Sequence, residues 1–263
     1  MRFINVTRLI MAILVIVSSV NALAKKKFQL PAKYRDVPTY TAEQLDKDLD
    51  KVHIVDVRTR FEYSIIHINT AVNNPVMFMT FITKLKKLRA LDGKKKIVFY
   101  CNGGSCTKSH EAVIKAQQAG FKNVYAYAAG IFSWVKKYPG KTTLLDQSPA
   151  NLNSIIAKAT LNTKMLGYDR FRHIASQGKS LVIDIRDPKQ RKVTLDIESR
   201  KIYLDRLVGY LKAGVWKDRQ LLVYDAVGKQ VRWLQYILVK NGYTNYYFLK
   251  KGARGVAKVH TKK

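Results

Sequence analysis

KKIVFYCNGGSCTKS, residues Lys95–Ser109, decides the fold. Ile97, Val98, Phe99 and Tyr100 form a short β-branched and aromatic run, which predicts a buried strand rather than a helix. Cys101 then ends that strand. Asn102, Gly103 and Gly104 let the backbone turn tightly, and Ser105 and Cys106 complete the loop. From Thr107, Lys108 and Ser109 onward the pattern becomes helical, with Ala112, Val113 and Ala116 on one face. The unit is strand, loop, helix, with a thiol at the mouth of the turn. Free N–H groups at a helix start bind anions, and a thiolate held there has a lowered pKa and reacts near neutral pH. The same groups would cradle a negative group carried on the sulfur. The plain alternative is a structural Cys101 beside a solvated Lys108. The Gly-Gly turn argues for the reactive cysteine.

Outward from this stretch, strands alternate with helices. Thr41–Leu49 carries Leu45 and Leu49 on one helical face, with Thr41 as N-cap. Val52–Val57 reads as a strand ending near Asp56, with Arg58 two residues on. Met77–Leu88 reads as a helix, in which Met77 and Met79 are core packing rather than a copper site. Gly120–Asn123 turns into a strand at Val124–Tyr127, and Ala129–Trp134 closes on a short helix. This alternation predicts an α/β fold with a parallel sheet whose ligands bind beyond the strands' carboxyl ends, where Cys101 lies.

The second half repeats the first. Leu181–Ile185 carries Asp184 with Arg186 two residues on, and Tyr203–Leu211 places Leu204, Leu207, Val208 and Leu211 on one helical face. Gln220–Tyr224 is the counterpart of the central strand, Val231–Val239 is helical, and Gly242–Asn245 echoes the turn at Gly120. Where the first half has Cys101, the second has Asp225. A carboxylate cannot do the chemistry of a thiolate, so the second half should lack whatever reaction Cys101 carries.

Asp56-Val57-Arg58, Glu62-Tyr63 and His67-Ile68 together resemble the first signature of the rhodanese-like sulfurtransferases, and Gly120–Trp134 resembles the second. Cys101 falls between them, where that family places its catalytic cysteine. The resemblance covers roughly Tyr40 to Pro139. It implies two rhodanese-like domains, each a mainly parallel central sheet flanked by helices, and transfer of sulfane sulfur through a Cys101 persulfide. Residues 102–109 would form the substrate loop, and Asp56 and Arg58 would hold loop and strand ends together. The loop departs from the usual family form: it is longer and holds a second thiol. C-N-G-x-x-C-x-x-S looks like a branch of single rhodanese domains in exported bacterial proteins. Phosphatases that share the fold need an Arg at the loop's end, where Lys108 stands.

Cys101 and Cys106 are the only cysteines. They admit a redox disulfide, a thiol in Cys106 that resolves the Cys101 persulfide, or a Cys106 that merely fills the loop. His67 reads as a satisfied core or surface histidine. Two cysteines without a clustered His do not make a zinc site, and neither metal nor cofactor is expected.

Residues 1–24 read as a signal peptide: Arg2 and Arg8, an apolar run from Leu9 to Val17, and a small-x-small end at Ala24. The expected organisation is leader 1–24, basic linker 25–37, first domain 38–140, linker 141–150 and degenerate second domain 151–263. The location implied is periplasmic or secreted. The formal net charge of +30 is spread through both halves and attracts anions. The expected partners are a small sulfur oxyanion or other sulfane-sulfur donor, with an acidic periplasmic protein or an anionic membrane surface admitted by the charge. There is no nucleic-acid motif, and no nucleic-acid partner is expected. Three functions follow. The first is a sulfurtransferase or sulfur carrier, the second a non-catalytic anion- or partner-binding module, and the third a redox protein cycling a Cys101–Cys106 disulfide.

Overall fold

The computed structural model describes residues 29–260. The expected leader, 1–24, and residues 25–28 of the basic linker lie outside them. Residues 29–36 belong to a unit of their own and contain one 3-10 turn, Ala32–Tyr34. The sheets lie in the other unit, from Val37 onward.

The first half runs α1 (Ala42–Lys47), β1 (Val52–Asp56), α2 (Arg60–Ile65), β2 (Ile66–Ile68), β3 (Val72–Asn73), α3 (Phe81–Leu91), β4 (Lys96–Tyr100), α4 (Lys108–Gln118), β5 (Val124–Tyr127), α5 (Gly130–Lys137) and β6 (Thr142–Leu144). Thr41 and Gln44 form a capping box at α1, and Thr59 and Glu62 form another at α2. Each box satisfies backbone donors that the first helical turn leaves open. Strands β3, β1, β4 and β5 lie in that order, all parallel, with Asp56 opposite Tyr100. Buried on all sides, β4 needs the continuous apolar run that the sequence carries.

The second half runs α6 (Lys158–Thr163), β7 (Met165–Leu166), α7 (Tyr168–Ser176), β8 (Ser180–Asp184), β9 (Arg200–Lys201), α8 (Leu204–Lys212), β10 (Gln220–Tyr224), α9 (Gln230–Lys240), β11 (Tyr246–Leu249) and α10 (Gly252–His260). Its sheet has the order β7-β11-β10-β8-β9, again all parallel. Asp184 lies opposite Tyr224 as Asp56 lies opposite Tyr100. The molecule is α/β, with two parallel sheets flanked by helices. One apolar cluster runs through both halves, from Ile131 and Trp134 to Leu207, Leu211 and Trp233.

Two expectations change. The helix expected over Met77–Leu88 begins at Phe81 and ends at Leu91. Pro75 starts a turn instead, in which Phe78 N–H donates to the Pro75 carbonyl. Phe81 and Leu85, four apart, are the side chains that α3 buries. Met77, Phe78 and Met79 are 67%, 58% and 100% exposed, so they are not core packing. The segment expected as a linker, 141–150, contains β6, which pairs antiparallel with β2 and buries Thr142 and Leu144.

A pair of glycines fixes how the loop after β4 meets the start of α5. Gly103 and Gly130 have φ of 79° and 70°. A Cβ on Gly103 would lie 1.9 Å from the Ala129 carbonyl oxygen, and one on Gly130 would lie 2.2 Å from the Gly103 nitrogen. No side chain fits at either position. Gly130→Ala should therefore cost about 2 kcal/mol or more. Gly140→Ala, with nothing within 4 Å of its Cβ, should change stability by about 0.5 kcal/mol at most. Urea unfolding of the two variants checks the contrast.

Candidate active site

The register of β1 and β4 brings Asp56, Arg58 and Cys101 together at the carboxyl end of the sheet. Arg58 is fully buried, and its guanidinium is the hub of the site. It donates to Asp56 through Nε (3.0 Å to Oδ1) and Nη2 (2.6 Å to Oδ2). Nη2 also donates to the Ile66 carbonyl, and Nη1 donates to Asn102 Oδ1 at 3.1 Å. The guanidinium also sits 5.7 Å from the Tyr100 ring centroid and 5.5 Å from that of Trp233. Asn102 in turn donates to Glu62 Oε1 at 2.9 Å, while Glu62 Oε2 accepts from Thr59 N–H and lies 4.0 Å from Lys108 Nζ. Against the cost of burial, Lys108, Asn102 and Arg58 hold Glu62 below the usual carboxylate range.

Cys101 follows β4 and is fully buried; Cys106 is half-buried, and both are free thiols. The Cys101 thiol donates to the Cys106 carbonyl at 3.3 Å, and Ser109 Oγ lies 3.8 Å from its sulfur. The Cys101 pKa is lowered to about 6. The largest cause is a hydrogen bond from the Cys106 thiol, followed by an opposing effect of burial, then bonds from the Gly103 and Ser109 N–H groups and the Ser109 hydroxyl. The Cys106 thiol is pushed up, first by that same bond to Cys101 and then by burial. Both thiols thus lie in one loop, with the Cys101 sulfur against the Cys106 carbonyl and the Ser109 hydroxyl. The helix start contributes through Ser109, the second residue of α4.

The other loop residues divide by exposure. Gly104, with φ of 60°, and Ser105 are exposed. Thr107 stands at the N-cap of α4 without a side-chain cap bond, and Lys108 turns toward Glu62. His67 Nδ1 pairs with the Tyr63 carbonyl at 2.9 Å, and its ring stacks on Tyr63. Glu62 was readable as the end of a capping box, but its bond to Asn102 spans 40 residues and has no local sign. Trp233 gives no sequence signal at all, because it comes from the other half. Among the described residues, no group of three or more His, Cys, Asp or Glu could hold a metal.

The second half shows what the cradle demands. Asp225 follows β10 as Cys101 follows β4. Its carboxylate is buried and accepts from the backbone N–H groups of Val227, Gly228, Gln230 and Val231. Its carbonyl accepts from Ala253 N–H, as the Cys101 carbonyl accepts from Ile131 N–H. Asp225 is thus a built-in anion that fills the loop, not an acid facing substrate. A groove of about 350 Å³ between the halves is lined by Arg60, Phe61, Asp146, Asp205, Lys212 and Lys240 among others, and by no residue of either loop.

The family match falls on the first half. A family model described as "Rhodanese-like domain" matches residues 41–137. A tRNA uridine(34) hydroxylase from Buchnera aphidicola is 30% identical over 123 residues, covering 41% of this chain and 36% of that protein. The corresponding hydroxylase from Bdellovibrio bacteriovorus is 26% identical over 102 residues, covering 39% and 28%. The matched stretch thus spans about a third of the length of these curated relatives. Among solved structures, a thiosulfate sulfurtransferase from Pseudomonas aeruginosa superimposes with a TM-score of 0.37 at 18% identity, over 84% of this chain and 44% of that one. A rhodanese-related protein from Thermoplasma volcanium gives a TM-score of 0.31 at 27% identity, over 38% and 92%. The protein contains a rhodanese-like domain, over residues 41–137.

Proposed function

We propose that the protein is an exported sulfurtransferase or sulfane-sulfur carrier that works through a persulfide on Cys101. The observation that carries this reading is the environment of the Cys101 sulfur: it is buried at the end of β4 beside the start of α4, with Ser109 Oγ 3.8 Å away, and its pKa is lowered to about 6. A thiosulfate-type donor would meet this thiolate. The sulfur attacks the donor's outer sulfur, the donor's S–S bond breaks, and sulfite leaves with the electron pair. Charge balances, since the thiolate becomes a persulfide anion that keeps the same donors. The sulfane sulfur then passes to a thiol, cyanide or protein acceptor.

In this reading the chain is a tandem of rhodanese-like units whose second member has lost the chemistry. Asp225 occupies the place of the sulfur and satisfies the loop itself. Residues 1–24 would direct export to the periplasm or beyond. The charge of +30 would speed the approach of sulfur oxyanions and favour an acidic periplasmic protein or an anionic membrane surface. A second reading rests on the two free cysteines of one loop, with the Cys101 sulfur 3.3 Å from the Cys106 carbonyl: a dithiol that cycles through a Cys101–Cys106 disulfide. Intact mass after thiosulfate separates the two. A gain of about 32 Da marks the persulfide; a loss of about 2 Da marks the disulfide.

Four outcomes are expected. Cys101→Ser should abolish the mass gain, and retention of full sulfur loading by that variant defeats the proposal. Alkylation of Cys101 should follow the thiolate, rising with pH through about 6 and levelling off above it, instead of at the ordinary thiol pKa. Removing a donor to the charged form raises a thiol pKa. Cys106→Ala should therefore move the midpoint upward by about one unit or more, whereas Cys106→Ser, which keeps a donor, should move it less. Mass-resolved alkylation rates across pH check both variants. Asp225→Ala leaves four buried N–H groups without their acceptor and should lower stability by about 3 kcal/mol. Sulfur loading of Cys101 should survive it, as urea unfolding and intact mass together would show.

A further inference from the structure

Arg58 is a residue of the first half whose burial the second half completes. Trp233, on α9, is 8% exposed. Its ring stacks on Phe132 of α5 at 5.7 Å and 17°, and it stacks equally on Tyr236 of its own helix at 5.9 Å and 21°. Its centroid is 5.5 Å from the Arg58 guanidinium. Arg58 is thus held by hydrogen bonds along its edge to Asp56, Ile66 and Asn102, and by the Tyr100 and Trp233 rings. Such a ring attracts the cation and keeps water off it. The counterpart in the second half, Arg186, pairs with Asp184 and meets the Tyr224 ring at 5.2 Å. Its Nη1 turns to the Val193 carbonyl instead of to a loop asparagine.

We propose that Trp233 is a positioning residue for the Cys101 loop, acting through Arg58 and Asn102, and that this contact is what the second half contributes to the site. The inference rests on the reading of Cys101 as the sulfur-carrying thiolate. The path is short. Trp233 limits how the guanidinium can tilt or hydrate. The guanidinium fixes the Asn102 side chain, which Glu62 holds from the other side. Asn102 stands between Cys101 and Gly103, whose backbone packs directly against the Ala129 carbonyl and Gly130. A looser Arg58 loosens the backbone that follows the sulfur and destabilises both the thiolate and the persulfide that replaces it. The other titratable groups around the loop, Cys106, Glu62, Lys108 and His110, keep their own side chains when position 233 is changed.

The test uses the full chain with Trp233→Leu, which removes the ring, and Trp233→Tyr, which keeps one. Two quantities are read: the pH midpoint of Cys101 alkylation and the rate of sulfur loading from thiosulfate. Trp233→Leu should raise the midpoint by about one unit, which is about fivefold less thiolate at the wild-type midpoint. Loading at that pH should slow by the same factor. Trp233→Tyr should stay within about twofold of wild type. Arg58→Lys should produce the upward shift by itself, and adding Trp233→Leu to it should change little further. A folded Trp233→Leu protein with the wild-type midpoint overturns the proposal, as does a Tyr variant that loses as much as Leu. Where Leu does not fold, Trp233→Met fills the space without a ring and takes its place. If wild-type protein takes up no sulfur, the sulfurtransferase reading falls, while the alkylation midpoints still decide the role of Trp233.

Discussion

Each central strand of this protein ends in a buried loop that leads into a helix, and the buried N–H groups of such a loop require an acceptor. Everything near the site follows from that requirement. In the second half a carboxylate meets it: Asp225 accepts from four N–H groups and the loop is closed on itself. In the first half the Cys101 sulfur stands at the corresponding place, and its pKa is lowered. The same backbone arrangement thus yields a sealed loop in one place and a reactive thiol in the other. The difference lies in one side chain and in loop length. A carboxylate is a permanent anion at neutral pH, whereas a thiolate can leave that role by taking on a second sulfur.

The loop can be built only because backbone meets backbone without side chains between. Gly103 and Gly130 lock the first loop against the start of α5. Gly252 serves the second in the same way, since a Cβ there would lie 2.5 Å from the Asp225 carbonyl oxygen. Beneath the first loop the Asp56–Arg58 pair is fully buried. A buried ion pair adds little net stability compared with apolar packing, but it is costly to break from one side. Its value here is directional: a planar guanidinium with several donors fixes Asp56, Ile66 and Asn102 at once. Specificity of geometry is what a reactive loop needs.

The large positive charge plays a different part. The nearest lysine of the loop, Lys108, is turned to Glu62, and the sulfur is stabilised by short-range donors instead. Net charge of this size acts at a distance, on the approach of anions, and weakens with salt. The local cradle does not. Approach and chemistry are therefore supplied by separate features of the molecule.

Local physics made much of this legible in the chain itself. The β-branched run at Ile97–Tyr100, the Gly-Gly turn, the Thr41 cap and the repeat of Asp-x-Arg in both halves depend on neighbours a few residues away, and each stands where the residues indicated. The α/β architecture and the place of Cys101 beyond the central strand follow from the same short-range rules. Long-range closure decided the rest. Met77–Met79 carries helical apolar spacing, yet Pro75 and the burial of Phe81 and Leu85 move the helix start to Phe81. Residues 142–144 have little apolar pattern, yet an exposed strand edge at β2 recruits them. That Cys101 would lie against the Cys106 carbonyl, that Asp225 would fill its own loop, and that Trp233 would lie on Arg58 are facts of three-dimensional proximity. Hydrogen bonds and ring contacts form wherever the folded chain brings partners together, and separation along the sequence carries no record of them.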